Sequence, residues 1–384
     1  MLDHSKDKFG FYTVGDLKFY SKFDAATTSG ATGQQMLWNF NDELYSLYDW
    51  TSEPVDSLPE LYRRRAQQLR NDYDYLVLWY SGGADSDNIL DTFVNNNIPL
   101  DEAAGVVNYE ATSDREGFLN AEIYHLTVPK IEQIRNTSQP WLLHTLIDLA
   151  QPTMDYFNNR NNKFDWIYQV SQYVNPNYMA RAQIVKTTPR WMDMINAGKK
   201  VAFIWGIDKP KVVGINGQFT LVFRDVLDSA TVTYNQLNGT PGVFDEMFYW
   251  TPDLPEIVIK QAHVLKKFLK NLSASSEFLT TKQHERMPAV TIGNTMYWLK
   301  FAGVHIALYP SWHPRPYQFK PSSLIFSERD MWFFKLSDSD PAKQMWKQGI
   351  EYRWQKTPDF LKNDPASLKH GYKLLQSRPY DLGT

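Results

Sequence analysis

The sequence predicts an α/β fold, in which a parallel, Rossmann-like sheet forms a nucleotide-binding domain. An N-terminal hairpin extension precedes this domain and a mixed accessory domain follows it. Three observations carry the prediction. Tyr75-Leu76-Val77-Leu78-Trp79-Tyr80 is a continuous apolar run, the pattern of a strand buried on both faces. The run stops at Ser81-Gly82-Gly83, after which Ile89, Leu90, Phe93 and Val94 share one helical face. Further apolar runs alternate with helical patterns as far as Val201–Trp205, as βαβ units do.

Taken in order, residues 9–23 read as a hairpin, with aromatic and β-branched residues flanking the turn pair Gly15-Asp16. Residues 25–34 are small and polar and read as a loop. Glu60 to Arg70 is a charged helix capped near Ser57. After the first strand, glycine turn and helix, Ala103–Tyr109 reads as a strand and Glu116–Tyr124 as a helix. Leu142–Leu149 reads as a third strand, Pro176–Ile184 as a helix, and Val201–Trp205 as a fourth strand ending at Gly206-Ile207-Asp208-Lys209-Pro210. Beyond residue 211 the character changes. Val212–Ile215 and Phe219–Phe223 form a hairpin around Asn216-Gly217. Ile257–Leu272 and Trp346–Trp354 are helical, and the proline-rich residues 310–321 are an ordered loop. The expected division is residues 1–70 as extension, 71–210 as nucleotide-binding domain and 211–384 as accessory or substrate domain.

Composition narrows the chemistry. The 384 residues exceed what one core usually takes, and 43% hydrophobic with 22% charged residues describes a folded chain. Most of the 15% aromatic residues are expected in the core. A net charge of −3 gives no strong field for nucleic acid, and Arg63-Arg64-Arg65 and Lys266-Lys267 read as solvated helix faces. With no cysteine, a disulfide, a thiolate zinc site and a cysteine nucleophile are all excluded. Met1–Lys8 lacks the apolar stretch of a secretory signal, and no run approaches the roughly 18 apolar residues of a membrane span. The expectation is a cytoplasmic protein without a membrane partner. The histidines show no H-x-x-x-H spacing, so no zinc site is expected. Asp245-Glu246 and Asp253-Glu256 flank Trp250-Thr251-Pro252; they read as solvated acids or, alternatively, as a site for an amine.

The glycine turn carries the clearest chemistry. Glycines let the backbone approach a ligand closely, and a helix start offers free N–H groups and a positive dipole end. Together they bind phosphate. Ser81 and Ser86 add hydroxyls, and Asp85 suits a magnesium ligand or an orienter of the loop. The chain contains neither G-x-x-x-x-G-K-[ST] nor G-x-G-x-x-G.

Ser81-Gly82-Gly83-Ala84-Asp85-Ser86 resembles the SGGxDS signature of the PP-loop ATP pyrophosphatases, the adenine nucleotide α-hydrolase-like proteins with a HUP-type sheet. The resemblance implies ATP and Mg²⁺ as cofactors and cleavage between the α- and β-phosphates to give AMP and pyrophosphate. It places Ser81, Gly82, Gly83, Asp85 and Ser86 on pyrophosphate and magnesium, with Tyr80 and Val107-Asn108-Tyr109 beside adenine, mostly through backbone. Lys209 stands where related sulfonucleotide enzymes carry a basic element; it is either a nucleotide contact with a catalytic charge or part of a solvent-facing turn. Arg181 is a lesser nucleotide candidate, read otherwise as a surface ion pair.

Segments such as YDYLVLWYSGGADS, WGIDKP and YWTPDLPEIVIKQAH are also similar to phage-encoded phosphoadenosine-phosphosulfate reductase-like proteins, over most of the chain. Those reductases use a cysteine that is absent here. The expected activity is therefore adenylation of a small-molecule or nucleic-acid acceptor for attack by a nitrogen nucleophile. A nucleotide-binding or interaction protein of a phage without turnover is the alternative. A sulfonucleotide-binding enzyme that does not reduce is a third.

Overall fold

The computed structural model describes residues 7–108, 122–159, 166–167, 176–207, 209–215, 217–225, 241–273, 304–309, 311–313, 330–362 and 373–384. Its centre is a five-stranded, all-parallel sheet. The strands are β4 (Tyr75–Trp79), β5 (Glu102–Val107), β6 (Leu143–Asp148), β7 (Val201–Trp205) and β10 (Val243–Met247), in the order β10-β7-β4-β5-β6. The order grows from β4 outward through β5 and β6, then reverses to place β7 on the other side of β4. A doubly wound sheet opens a ligand crevice at such a reversal, at the carboxyl ends of the strands.

Both faces are covered, as the unbroken apolar strands required. Leu76, Leu78, Ala202 and Ile204 pack on one side with Leu61, Ala66 and Leu69 of α2 (Leu58–Asp72) and with Ile89, Leu90 and Phe93 of α3 (Ala84–Asn95). On the same side lie Ile131 and Ile134 of α4 (Val128–Thr137) and Ile257 and Val258 of α8 (Glu256–Ser273). Val77, Val201 and Phe203 face the other way, against Ile184 and Val185 of α6 (Pro176–Thr187) and Trp191 and Ile195 of α7 (Pro189–Asn196). Ser57 caps α2 by accepting the Glu60 N–H. Among the described residues, no helix is long and apolar enough to cross a membrane.

Two antiparallel sheets flank this centre. The first contains β1 (Phe11–Val14), β2 (Leu17–Phe19) and β3 (Met36–Asn39), in the order β2-β1-β3, and Gly15-Asp16 form its turn. The second contains β8 (Lys211–Ile215), β9 (Gln218–Val222) and β11 (Tyr380–Gly383), in the order β11-β9-β8.

Residues 25–34, expected as a loop, are mostly helix. α1 (Lys22–Thr32) starts at Ser21, whose hydroxyl accepts the Asp24 N–H at 3.3 Å, and ends at left-handed Gly33. Its residues are too small to show a hydrophobic stripe. Ala25, Ala26 and Ser29 are nonetheless buried, and Gly30 lies so close to Pro358 that a β-carbon would stand 2.9 Å from its Cγ.

The sheet also crosses the boundary drawn at residue 210, because its fifth strand is Val243–Met247. One continuous hydrophobic core runs from Phe9 to Leu382. Buried Asp225 ties the ends together: it receives Lys22 Nζ at 2.5 Å, Tyr12 Oη at 3.1 Å and the Leu375 N–H at 2.8 Å. The sequence-expected helix before residue 122, Asn216 of the second hairpin, and most of residues 310–321 lie outside the described residues.

Candidate functional site

Three neighbouring strands deliver the site. β4 runs into Ser81–Gly83, β7 into Gly206 and Lys209, and β10 into Tyr249, all at the same carboxyl edge. Gly83 is the N-cap of α3, with no side-chain cap. The N–H groups of Ala84, Asp85 and Ser86 therefore stand in the first turn, where a helix has no acceptor of its own. The two serines hold the turn closed. Ser86 Oγ accepts the Ser81 N–H at 3.3 Å and donates to the Gly83 carbonyl at 3.1 Å, and the two hydroxyls meet at 3.3 Å.

Asp85 and Lys209 meet across the reversal point. Lys209 Nζ lies 2.6 Å from Asp85 Oδ1 and 2.8 Å from Oδ2. Gly206 makes the approach possible: a β-carbon there would lie 3.3 Å from Asp85 C and Ser86 N and 3.1 Å from Ile89 Cδ1. Tyr309 Oη also donates to Asp85 Oδ1, and Tyr249 Oη donates to the Asp85 carbonyl at 2.8 Å. Asn88 Nδ2 in turn donates to Tyr249 Oη at 2.9 Å. Burial pushes the Asp85 carboxyl up, but the Lys209 ammonium, His305 and the hydrogen bonds from Lys209 and Tyr309 outweigh it, and the pKa settles below the usual aspartate value. His305 is lowered to about 4 by burial and by Lys209, which leaves its ring neutral at pH 7.

Lys209 is thus held at the loop rather than in a solvent-facing turn. Tyr80 is buried; its hydroxyl donates to Asp87 Oδ1 at 2.8 Å and its N–H to the Ala104 carbonyl at 2.8 Å. Lys130 Nζ approaches the same carboxylate oxygen at 2.7 Å and Asp91 at 2.6 Å, which pins α4 to α3. Asn108 is buried directly after β5; Tyr109 lies outside the described residues. Arg181 falls on α6, and its side chain too lies outside them.

The basic cluster divides: Arg63 and Arg64 are exposed and pair with Glu60 and Asp56, whereas Arg65 is buried and donates to Glu246 Oε2 and the Met247 carbonyl. Glu246 also receives Lys8 at 2.9 Å, so the acids read as solvated or amine-binding include one already paired within the chain. Asp245, its neighbour, is buried and accepts from Trp205 Nε1 at 2.7 Å.

Sequence reasoning missed Tyr249, Tyr309, His305 and Asn88. Tyr249 had a signal, since it follows an unrecognised strand; Tyr309 and His305 had none. Among the described residues, no three His, Asp or Glu side chains stand close enough together to hold a metal ion by themselves. Asp85 alone at the loop matches the way magnesium is bound with substrate phosphates, through one or two carboxylates. No known protein-family model matches the chain, and no curated protein matches it.

Proposed function

We propose that the chain binds ATP at Ser81–Ser86 and cleaves it between the α- and β-phosphates, adenylating an acceptor. The observation that carries this reading is the meeting of Asp85 and Lys209 over the open start of α3, at the point where the strand order reverses. First-turn N–H groups and a helix dipole favour phosphate there. Asp85, with the nucleotide phosphates, would hold Mg²⁺, which supplies charge neutralisation. Lys209 then leaves Asp85 for a phosphate oxygen and stabilises charge developing at the α-phosphorus. An acceptor oxygen attacks that phosphorus, pyrophosphate departs, and a nitrogen nucleophile displaces AMP. The chain has no cysteine to act as a glutaminase nucleophile, so the nitrogen comes as ammonia, as an amine or from a partner. The proposed setting is the cytoplasm, that of the host if the chain is phage-encoded.

Binding without turnover is the second reading, favoured by the occupation of Asp85 by Lys209 and Tyr309. Product analysis separates the two. ATP is incubated with Mg²⁺ and a panel of carboxylate, amide and nucleobase acceptors, and the nucleotides are resolved by chromatography. AMP and pyrophosphate, lost in Asp85→Ala, support the enzyme. Bound ATP with no product across the panel supports the second reading, and ADP as sole product overturns the proposed cleavage.

A further inference from the structure

The wall behind the loop comes from a segment that the reading above does not use. Ile123–Thr127 form a single π-helical turn that runs directly into α4. Such turns are rare and gather at functional sites. This one ends on Thr127, which is completely buried. Its hydroxyl is pressed against the loop: a β-carbon on Gly82 would stand 2.8 Å from Thr127 Oγ1.

Yet Thr127 Oγ1 has no hydrogen-bond partner among the described residues. Buried hydroxyls normally have one, because an unmade bond costs the full desolvation of the group. A helical threonine has an easy remedy in the carbonyl four residues back. Thr32, Thr92 and Thr137 take it, bonding the carbonyls of Thr28, Asn88 and Gln133 at 2.7 to 2.8 Å. Thr127 does not, and the corresponding carbonyl, that of Ile123, receives the Val128 N–H instead. Nearby Lys130 is committed to Asp87 and Asp91, so Thr127 brings a neutral donor to the loop.

We infer that Thr127 is a further phosphate-binding residue of this site, donating its hydroxyl to a phosphate oxygen seated against Gly82. The inference rests on the nucleotide reading above. Phosphate oxygens accept only, and Thr127 brings a donor beside the first-turn N–H groups of α3.

The test uses the full chain with Thr127→Val and Thr127→Ser. Melting without ligand reports on the fold, and calorimetry with Mg-ATP and with inorganic pyrophosphate reports on binding. Thr127→Val is expected to melt no lower than wild type, because it removes an unsatisfied hydroxyl, and to bind pyrophosphate about tenfold more weakly. Thr127→Ser is expected to bind within about twofold of wild type, since it keeps the donor. A lowered melting temperature in Thr127→Val would show that the hydroxyl serves the fold, and would overturn the inference. So would unchanged pyrophosphate affinity in that variant. A wild type that binds ATP but not pyrophosphate overturns the inference and leaves the nucleotide reading standing. Binding of neither probe overturns both.

Discussion

Gly82→Ala tests whether the loop is held in one shape by its surroundings. Gly82 has φ 76°, in the left-handed region. Any β-carbon there costs about 1–2 kcal/mol from backbone strain alone. The new methyl would also stand 2.8 Å from Thr127 Oγ1 and 3.3 Å from Glu122 Cγ, closer than packed atoms tolerate. Overpacking of this kind costs roughly 1–3 kcal/mol. The expected loss is therefore about 2–5 kcal/mol, the sum of those two terms. Gly33 supplies an internal control, with φ 70° and no atom within 4 Å of a β-carbon. Gly33→Ala should lose only the backbone part, about 1–2 kcal/mol. Urea unfolding followed by circular dichroism compares the two, and Thr127→Ala added to Gly82→Ala should recover part of the packing loss. Equal losses at Gly82 and Gly33 would refute the claim that α4 and its π turn clamp the loop.

Three further outcomes are expected. Lys209→Met removes the cation bonded to both oxygens of Asp85; it should weaken Mg-ATP binding at least about tenfold in calorimetry and also lower the melting temperature, because the largely buried Asp85 carboxylate loses its charge partner. Asp245 is raised from 3.8 to about 7, chiefly by burial, and a folded value above the unfolded one means that its stabilising contribution is full below pH 4 and lost as pH rises to 7. Asp245→Asn should therefore gain on wild type across that window by at most about 4 kcal/mol, at 1.36 kcal/mol per unit, read from urea midpoints at each pH. Finally, phosphoadenosine phosphosulfate should yield no sulfite above background when thioredoxin and its reductase are supplied, because the chain has no thiol to attack sulfur; sulfite lost on Asp85→Ala would contradict this.

What was legible in the sequence was local. The loop showed itself because a buried strand, a glycine turn and a helix start are consecutive, and Lys209 because it follows a strand end. β10 was hidden by Asp245 and Glu246, acids that look out of place in a buried strand. They are tolerated because Trp205 bonds one, and Lys8, Arg65 and Tyr73 bond the other, from far away in the chain. α1 was hidden by its small side chains, which bury by close backbone approach rather than by bulk. Tyr309 reaches Asp85 across 224 positions, and Thr127 meets Gly82 only through the packing of α4, so neither leaves a pattern in the sequence.

The most direct test of the nucleotide site is backbone amide exchange with and without Mg-ATP. The first-turn N–H groups of α3 have no intrahelical acceptor, so a bound phosphate would supply one and slow their exchange. Mg-ATP is expected to protect residues 82–86, together with the segment around Lys209, and Asp85→Ala should reduce that protection. Protection confined to other parts of the chain, with residues 82–86 unchanged, would contradict the assignment.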